Sequence, residues 1–190
     1  MQKKSINFAQ ITAVTVLVIL LVGSFVKLST NPWENSPQKL PGKIECEFYD
    51  LGGEGNAYHD EDNINNGSGK LNPANGNYLN EFRKEEGVDI SYTKPNKQDD
   101  SEFNLVTPAM NQLYVGWTIP NEWINYTVNI TQSGTYSIGL NYTSNGEGGI
   151  SFSLDGKEIS GVIKIPSTIQ RIPFYGGNGI IGTTFKIFQK

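Results

Sequence analysis

The sequence predicts an all-β domain, and three observations carry that prediction. Apolar residues recur with a two-residue period, most clearly where Ile124, Tyr126, Val128 and Ile130 share one side of a strand and Asn125, Thr127 and Asn129 the other. Alternating runs are separated by the turn signals "QSG", "NGEGG" and "DGK". The chain holds 21 glycines, nine tyrosines and nine phenylalanines, and no segment after residue 30 shows a helical period. A β-sandwich follows from short alternating strands with frequent turns.

The elements follow in chain order. "MQKK" supplies positive charge ahead of the apolar run "ITAVTVLVILLVGSFV", Ile11 to Val26. Its strongly apolar part, Ala13 to Val22, is short of the roughly 20 residues a bilayer-spanning helix needs. Lysines before a short apolar run read as a secretory signal. Residues 1–26 are therefore expected to be a signal peptide or an uncleaved membrane anchor, with residues 11–26 as the anchoring stretch and the protein secreted or at the cell surface. Residues 27–43, with three prolines and little periodicity, read as a linker.

From residue 44 the pattern changes. "KIECEFYD" alternates Ile44, Cys46 and Phe48 with Glu45, Glu47 and Tyr49, and reads as a strand with a charged side. The stretch from Leu51 to Tyr78 is too rich in Gly and Asn for a helix and long enough to suggest a functional loop. "GVDISYT" is a short strand, and "KPNKQDDSEFN" a polar loop. After the run ending at Ile130 come "GTYSIGLNYTS", "GGISFSLDGKEIS" and "GVIKI". Tyr136, Ile138, Leu140 and Tyr142 would face one way, as would Ile150, Phe152 and Leu154.

Charge narrows the functional classes. Fifteen Lys+Arg against nineteen Asp+Glu leave a net charge of -4. Without clustered basic residues to neutralise phosphates, a nucleic-acid partner is not expected. The single cysteine, Cys46, cannot form an internal disulfide.

The blocks "IECEFYDLGGEGNAYHDEDNINNG", "EGVDISYT" and "YVGWTIPNEWINYTVNITQSGTYSIGLNYTS", in that order, resemble a family 6 carbohydrate-binding module. The resemblance covers Ile44 to about Pro166, so residues 44–166 are taken as the module. It implies a galactose-binding-like β-jelly roll, no catalysis of its own, attachment to a polysaccharide such as xylan or β-glucan, and a structural calcium. Such modules usually accompany a secreted glycoside hydrolase.

The likeness also implies site residues. Trp117, in the "VGW" position, matches the loop aromatic that stacks on a sugar ring; sugars offer apolar C–H faces that suit a flat indole. Trp123 is expected to brace that loop from beneath. Tyr58, His59 and Asp60 stand where the family places a polar contact to sugar hydroxyls. Glu45 and Glu47 match the acidic pair that helps hold Ca2+, a cation suited to hard carboxylate oxygens. Without the family, the same two residues are the exposed side of an alternating strand. "DEDN" resembles a calcium loop in composition only, since it lacks the Gly and distant Glu of an EF-hand.

Residues 167–190 depart from the family. "IQRIPFYGGNGIIGTTFKIFQK" contains no Trp, Asp or Glu, where a second clamp tryptophan and a late acidic ligand are expected. Tyr175-Gly176, Asn178-Gly179 and Ile181-Gly182 are residue–glycine steps spaced by three, which a shifted reading frame can turn into tryptophans where the preceding codons end in T. The tail is accordingly read as a frameshift product that replaces the closing strands and leaves the first strand short of a neighbour. Two other functional readings stand beside the sugar binder. One is a fragment of a secreted glycoside hydrolase, which would need two carboxylates about 5–10 Å apart across the bond. The other is a structural or adhesive β-sandwich with no sugar ligand.

Overall fold

The computed structural model describes residues 30–94, 97–98, 109–144, 146–168, 180–181 and 185–189; the expected signal segment lies outside them. The described chain is all-β, with one four-residue α-helix and two short 3-10 turns. Among the described residues, no helix is long and apolar enough to cross a membrane.

The first strands belong to the segment read as a linker. β1 (Gln38–Leu40) pairs in parallel with a later strand, Gln38 opposite Val128 and Leu40 opposite Ile130. Asn31 exchanges two backbone hydrogen bonds with Leu51, at 3.0 and 2.7 Å. The linker reading of residues 31–43 is thus corrected. Its prolines broke the periodicity without detaching the chain, because Trp33 buries part of its ring against Phe48 and Phe82.

β2 (Gly42–Ile44) is shorter than "KIECEFYD" suggests, since Cys46–Phe48 forms a 3-10 turn. A side chain takes the place of a ladder partner here. The Gln38 amide donates to the Glu45 carbonyl (3.2 Å) and the Phe48 carbonyl (3.1 Å), and its Oε1 accepts the Glu45 N–H (2.8 Å). With three residues per turn instead of two, Cys46 and Glu47 both turn inward. Glu47, expected on an exposed strand side, is only 5% exposed.

β3 (Tyr58–His59), β4 (Ser68–Gly69) and β5 (Asn72–Pro73) punctuate the Gly/Asn-rich stretch. Asn65 organises its middle: its buried Oδ1 accepts from the N–H groups of Gly67 (3.1 Å), Ser68 (2.8 Å) and Ile90 (3.1 Å). Gly67 is obligatory at that crossing, because a Cβ there would lie 2.0 Å from the Ile90 carbonyl oxygen. α1 (Tyr78–Glu81) starts at Asn77, whose side chain accepts the Leu79 N–H at 2.9 Å.

β6 (Ile90–Lys94) is central, flanked by β7 (Lys97–Gln98) and β8 (Leu113–Val115); every residue of β8 is buried. β9 (Trp123–Ile124) pairs with β3, and β10 (Val128–Ile130) is the partner of β1. Between β9 and β10 the chain is tied by the Asp50 carboxylate, which accepts the Thr127 N–H and hydroxyl, both at 2.7 Å. The core gathers Cys46, Tyr49, Ala57, Tyr58, Phe82, Val88, Ile90, Leu113 and Val115, so it sits under the loops that precede β9.

β11 (Tyr136–Leu140), β12 (Thr143–Ser144) and β13 (Gly148–Ile150) continue the chain, followed by β14 (Ser153–Leu154), β15 (Lys157–Glu158) and β16 (Ile163–Ile165). The "DGK" turn forms as expected: Asp155 (φ 50°) and Gly156 (φ 75°) are both left-handed and join β14 to β15. β17 (Ile180–Ile181) pairs with β12. β18 (Phe185–Gln189) lies between β11 and β2, with Phe185 opposite Ile44 and Ile187 opposite Gly42. The neighbour expected to be missing beside the first strand is therefore supplied by the tail. The absence of Trp and acidic residues says nothing about strand formation, and "FKIFQ" carries apolar residues at the spacing a strand needs.

Candidate functional site

Two loops meet above the core. One runs from Leu51 to Asp62 and the other from Gly116 to Glu122; β3 and β9 close them at their base, Tyr58 facing Ile124 across the ladder and His59 facing Trp123. Side chains on a strand alternate, so this register decides what reaches the surface. Tyr58 goes in: it is 5% exposed, its ring meets Tyr49 edge-on at 5.5 Å, and its hydroxyl accepts the Gly87 N–H at 3.1 Å. Expected as a contact to sugar hydroxyls, Tyr58 is instead part of the core, its polar end already engaged. His59 goes out, with Trp123 beside it at 6.4 Å between ring centroids.

Trp123 is 39% exposed. The bracing role expected for it does not fit that exposure. The signal was present in the sequence: if Ile124 and Tyr126 face the core, the same alternation sends Trp123 and Asn125 outward. Trp117 is half-buried, with a left-handed backbone at φ 50°. That conformation is costly for a bulky side chain and collects at functional sites. The preceding Gly116 N–H is fixed by the Asp89 carbonyl at 2.9 Å.

Carboxylates bind the two loops together. Glu54 holds both His59, with Oε1 2.5 Å from Nδ1, and the Asp60 N–H, at 3.0 Å to Oε2. The hydrogen bond to Glu54 raises the His59 pKa and favours the imidazolium; Glu61, 4.0 Å from Nε2, adds to this. Glu122 accepts from Ile119 N–H (2.8 Å) in its own loop and from Glu61 N–H (3.4 Å) in the other. Asp60 caps the Asp62 N–H at 3.1 Å. Burial pushes Asp60 and Glu122 upward, and neighbouring carboxylates add to both. Beneath them Asp89 is pushed up to about 7, first by burial and then by Asp60 and Asp62, although it accepts the Asn66 N–H.

The acidic pair near the N-terminus is not one site. Glu45 is half-buried and paired with Lys43 at 2.6 Å. Glu47 is buried, and burial pushes it up to about 7 although a backbone hydrogen bond works against the rise. Among the described residues, no group of three or more His, Cys, Asp or Glu gathers to hold a metal. Of the six candidates, then, the fold brings His59 and Asp60 to one surface with Trp117 on the adjoining loop, and keeps Tyr58, Glu45 and Glu47 apart from it. No protein-family model matches the chain, and no curated protein matches it.

Proposed function

We propose that this protein is a non-catalytic carbohydrate-binding module, of the family 6 type and jelly-roll topology, that attaches to an insoluble polysaccharide such as xylan or β-glucan. The observation that carries the reading is the exposed Trp123 indole beside His59, on a rim tied by Glu54, Glu61 and Glu122. An indole with an open face takes the apolar side of a pyranose, and the fixed polar groups around it take hydroxyls. Trp117 is the second aromatic of the site, on the other end of the same loop. Secretion or surface anchoring by residues 11–26 accords with an extracellular polymer as partner.

Binding to insoluble xylan, barley β-glucan and agarose tests the reading. Trp123→Ala is expected to weaken retention about 30-fold, the effect of removing an aromatic hot spot worth about 2 kcal/mol. Its melting temperature should stay close to that of the parent, because Trp123 lies outside the core cluster. Retention on none of the three polymers by the parent chain, or retention by Trp123→Ala and Trp117→Ala equal to the parent's, would refute the assignment.

Calcium remains part of the proposal through Glu47 alone. A buried carboxylate fits one ligand position of a cation that takes six to eight oxygens, whereas Glu45 is held by Lys43. Millimolar CaCl2 is expected to raise the melting temperature at pH 8, and Glu47→Gln to abolish that rise. An identical response in the two proteins would remove Glu47 from the ligand set.

A further inference from the structure

The segment around Trp33 is more ordered in its contacts than a strap needs to be. The indole lies parallel to Phe48, with 6.2 Å between centroids and 9° between planes, and tilts against Phe82 at 5.2 Å. The Arg83 guanidinium carbon sits 4.9 Å from its ring. Immediately after it, Glu34 (φ 52°) and Asn35 (φ 55°) are two consecutive non-glycine residues in the left-handed region. Hydrogen bonds from Asn35 N–H to the Pro32 carbonyl (2.9 Å) and from Ser36 N–H to the Trp33 carbonyl (3.0 Å) hold them there. Backbone in this region carries a cost that surrounding contacts must offset, and its usual use is to aim a side chain.

Those contacts frame a cleft of about 230 Å³ lined by Trp33, Glu34, Ser36, Pro37, Gln38 and Phe48. Its volume lies below the roughly 300–1,000 Å³ of ordinary drug-sized sites, which suits one ring and not a chain. The walls are aromatic, and the polar groups are a carboxylate, a hydroxyl and an amide. No lysine, arginine or histidine lines it. The Gln38 amide is spent on the backbone of the 45–48 turn, so that wall is rigid. None of these residues belongs to the Trp117–Trp123 loop or its partner.

We infer that this cleft is a second carbohydrate contact, which takes a single uncharged sugar residue against Trp33 with Glu34 and Ser36 accepting its hydroxyls. The inference rests on the carbohydrate-binding function proposed for the loop site. An anionic sugar would meet the Glu34 carboxylate with no cation lining the cleft to offset it, and a peptide would need more room. The segment that builds the contact precedes residues 44–166, which carry the family likeness, so the likeness does not imply it.

The chain has three tryptophans, and each marks a different place: Trp33 the cleft, Trp117 and Trp123 the two ends of the loop site. Indole N–H resonances of the full 190-residue chain, 15N-labelled at tryptophan, are followed during titration with the methyl β-glycosides of xylose, glucose and galactose. The Trp33 resonance is expected to shift saturably with at least one of the three. Glu34→Gly, which suits the left-handed backbone and so retains the fold, should weaken that response at least tenfold while the Trp123 response persists. A Trp33 signal that stays still under a sugar that moves Trp123 overturns the second contact and leaves the first reading intact. Silence of all three indoles overturns both.

Discussion

Arg83→Ala is expected to destabilise the protein by about 3–5 kcal/mol, a larger loss than any substitution in the exposed loops would cause. The Arg83 side chain is 1% exposed. It donates to the Tyr49 carbonyl at 2.6 Å and the Asp50 carbonyl at 3.0 Å, and forms a two-pronged pair with Glu86 at 3.0 and 2.8 Å. Its guanidinium carbon lies 3.3 Å from the centre of the Tyr49 ring, and the Tyr49 hydroxyl donates to the same Glu86 at 3.0 Å. One flat fork thus satisfies the chain just after the 3-10 turn, where no strand ladder supplies donors. Truncation leaves two carbonyls and a carboxylate short of partners where water has poor access. Lysine would not restore the arrangement, because a single ammonium cannot copy the planar fork. For a domain of this size the loss corresponds to a melting temperature lower by about 10 °C. Urea unfolding checks it: the midpoint should fall without a change in slope, and a loss under about 1 kcal/mol would contradict the clamp.

Stability is expected to decline from pH 5 to pH 8 in chelator-treated protein. Burial pushes Asp89 and Glu47 up to about 7 each, from ordinary values of 3.8 and 4.5. Across that window the folded chain retains protons that the unfolded chain has released. Proton binding that is greater in the folded state makes stability fall as pH rises. The loss begins above about pH 4, is largest near pH 6, and levels off above about 7, where both states are ionised. Each pKa unit of such a rise is a differential interaction of about 1.4 kcal/mol, enough for melting temperatures to read the slope. The opposite slope would follow if these carboxylates were held by cations. Melting temperatures across the range decide between them, and Asp89→Asn should flatten the curve. An increase in melting temperature toward pH 8 without added metal would mean that both carboxylates are ionised in comfort.

The His59–Glu54 pair works in the same direction but weakly, since both side chains are well exposed and such pairs contribute little. A raised histidine pKa, like a raised carboxylate pKa, gives stability that is lost as pH climbs. Its consequence belongs to the site: the imidazolium next to Trp123 persists to higher pH than an isolated histidine would.

Particular residues show what could be read in one dimension. Ile124 and Tyr126 identified the inward side of their segment, which already implied an outward Trp123, but the single strand expected there is two short ones, Trp123–Ile124 and Val128–Ile130, with Tyr126 between them and Ile130 exposed. Asp155 and Gly156 announced a tight hairpin, and the hairpin formed. The Gly/Asn-rich stretch was legible as a loop because its side chains offer the backbone local hydrogen bonds, as Asn65 does to Gly67 and Ser68. By contrast, Tyr58 and His59 form too short a strand for alternation to say which faces in. That was set by Ile124, its partner 66 residues away in the chain.

By itself the sequence determined that this chain is all-β, where most of its strands and turns lie, and that aromatic residues flank an acidic loop. Periodicity and turn chemistry are local, so a window of a few residues suffices for them. Only the tertiary structure decided that Glu47 turns inward, that Trp33 and its proline-rich surroundings pack onto the core, and that Phe185–Gln189 fills the place beside Gly42–Ile44. Each of those outcomes depends on which distant segment supplies a hydrogen bond or covers an apolar face, and no local pattern encodes the identity of that segment.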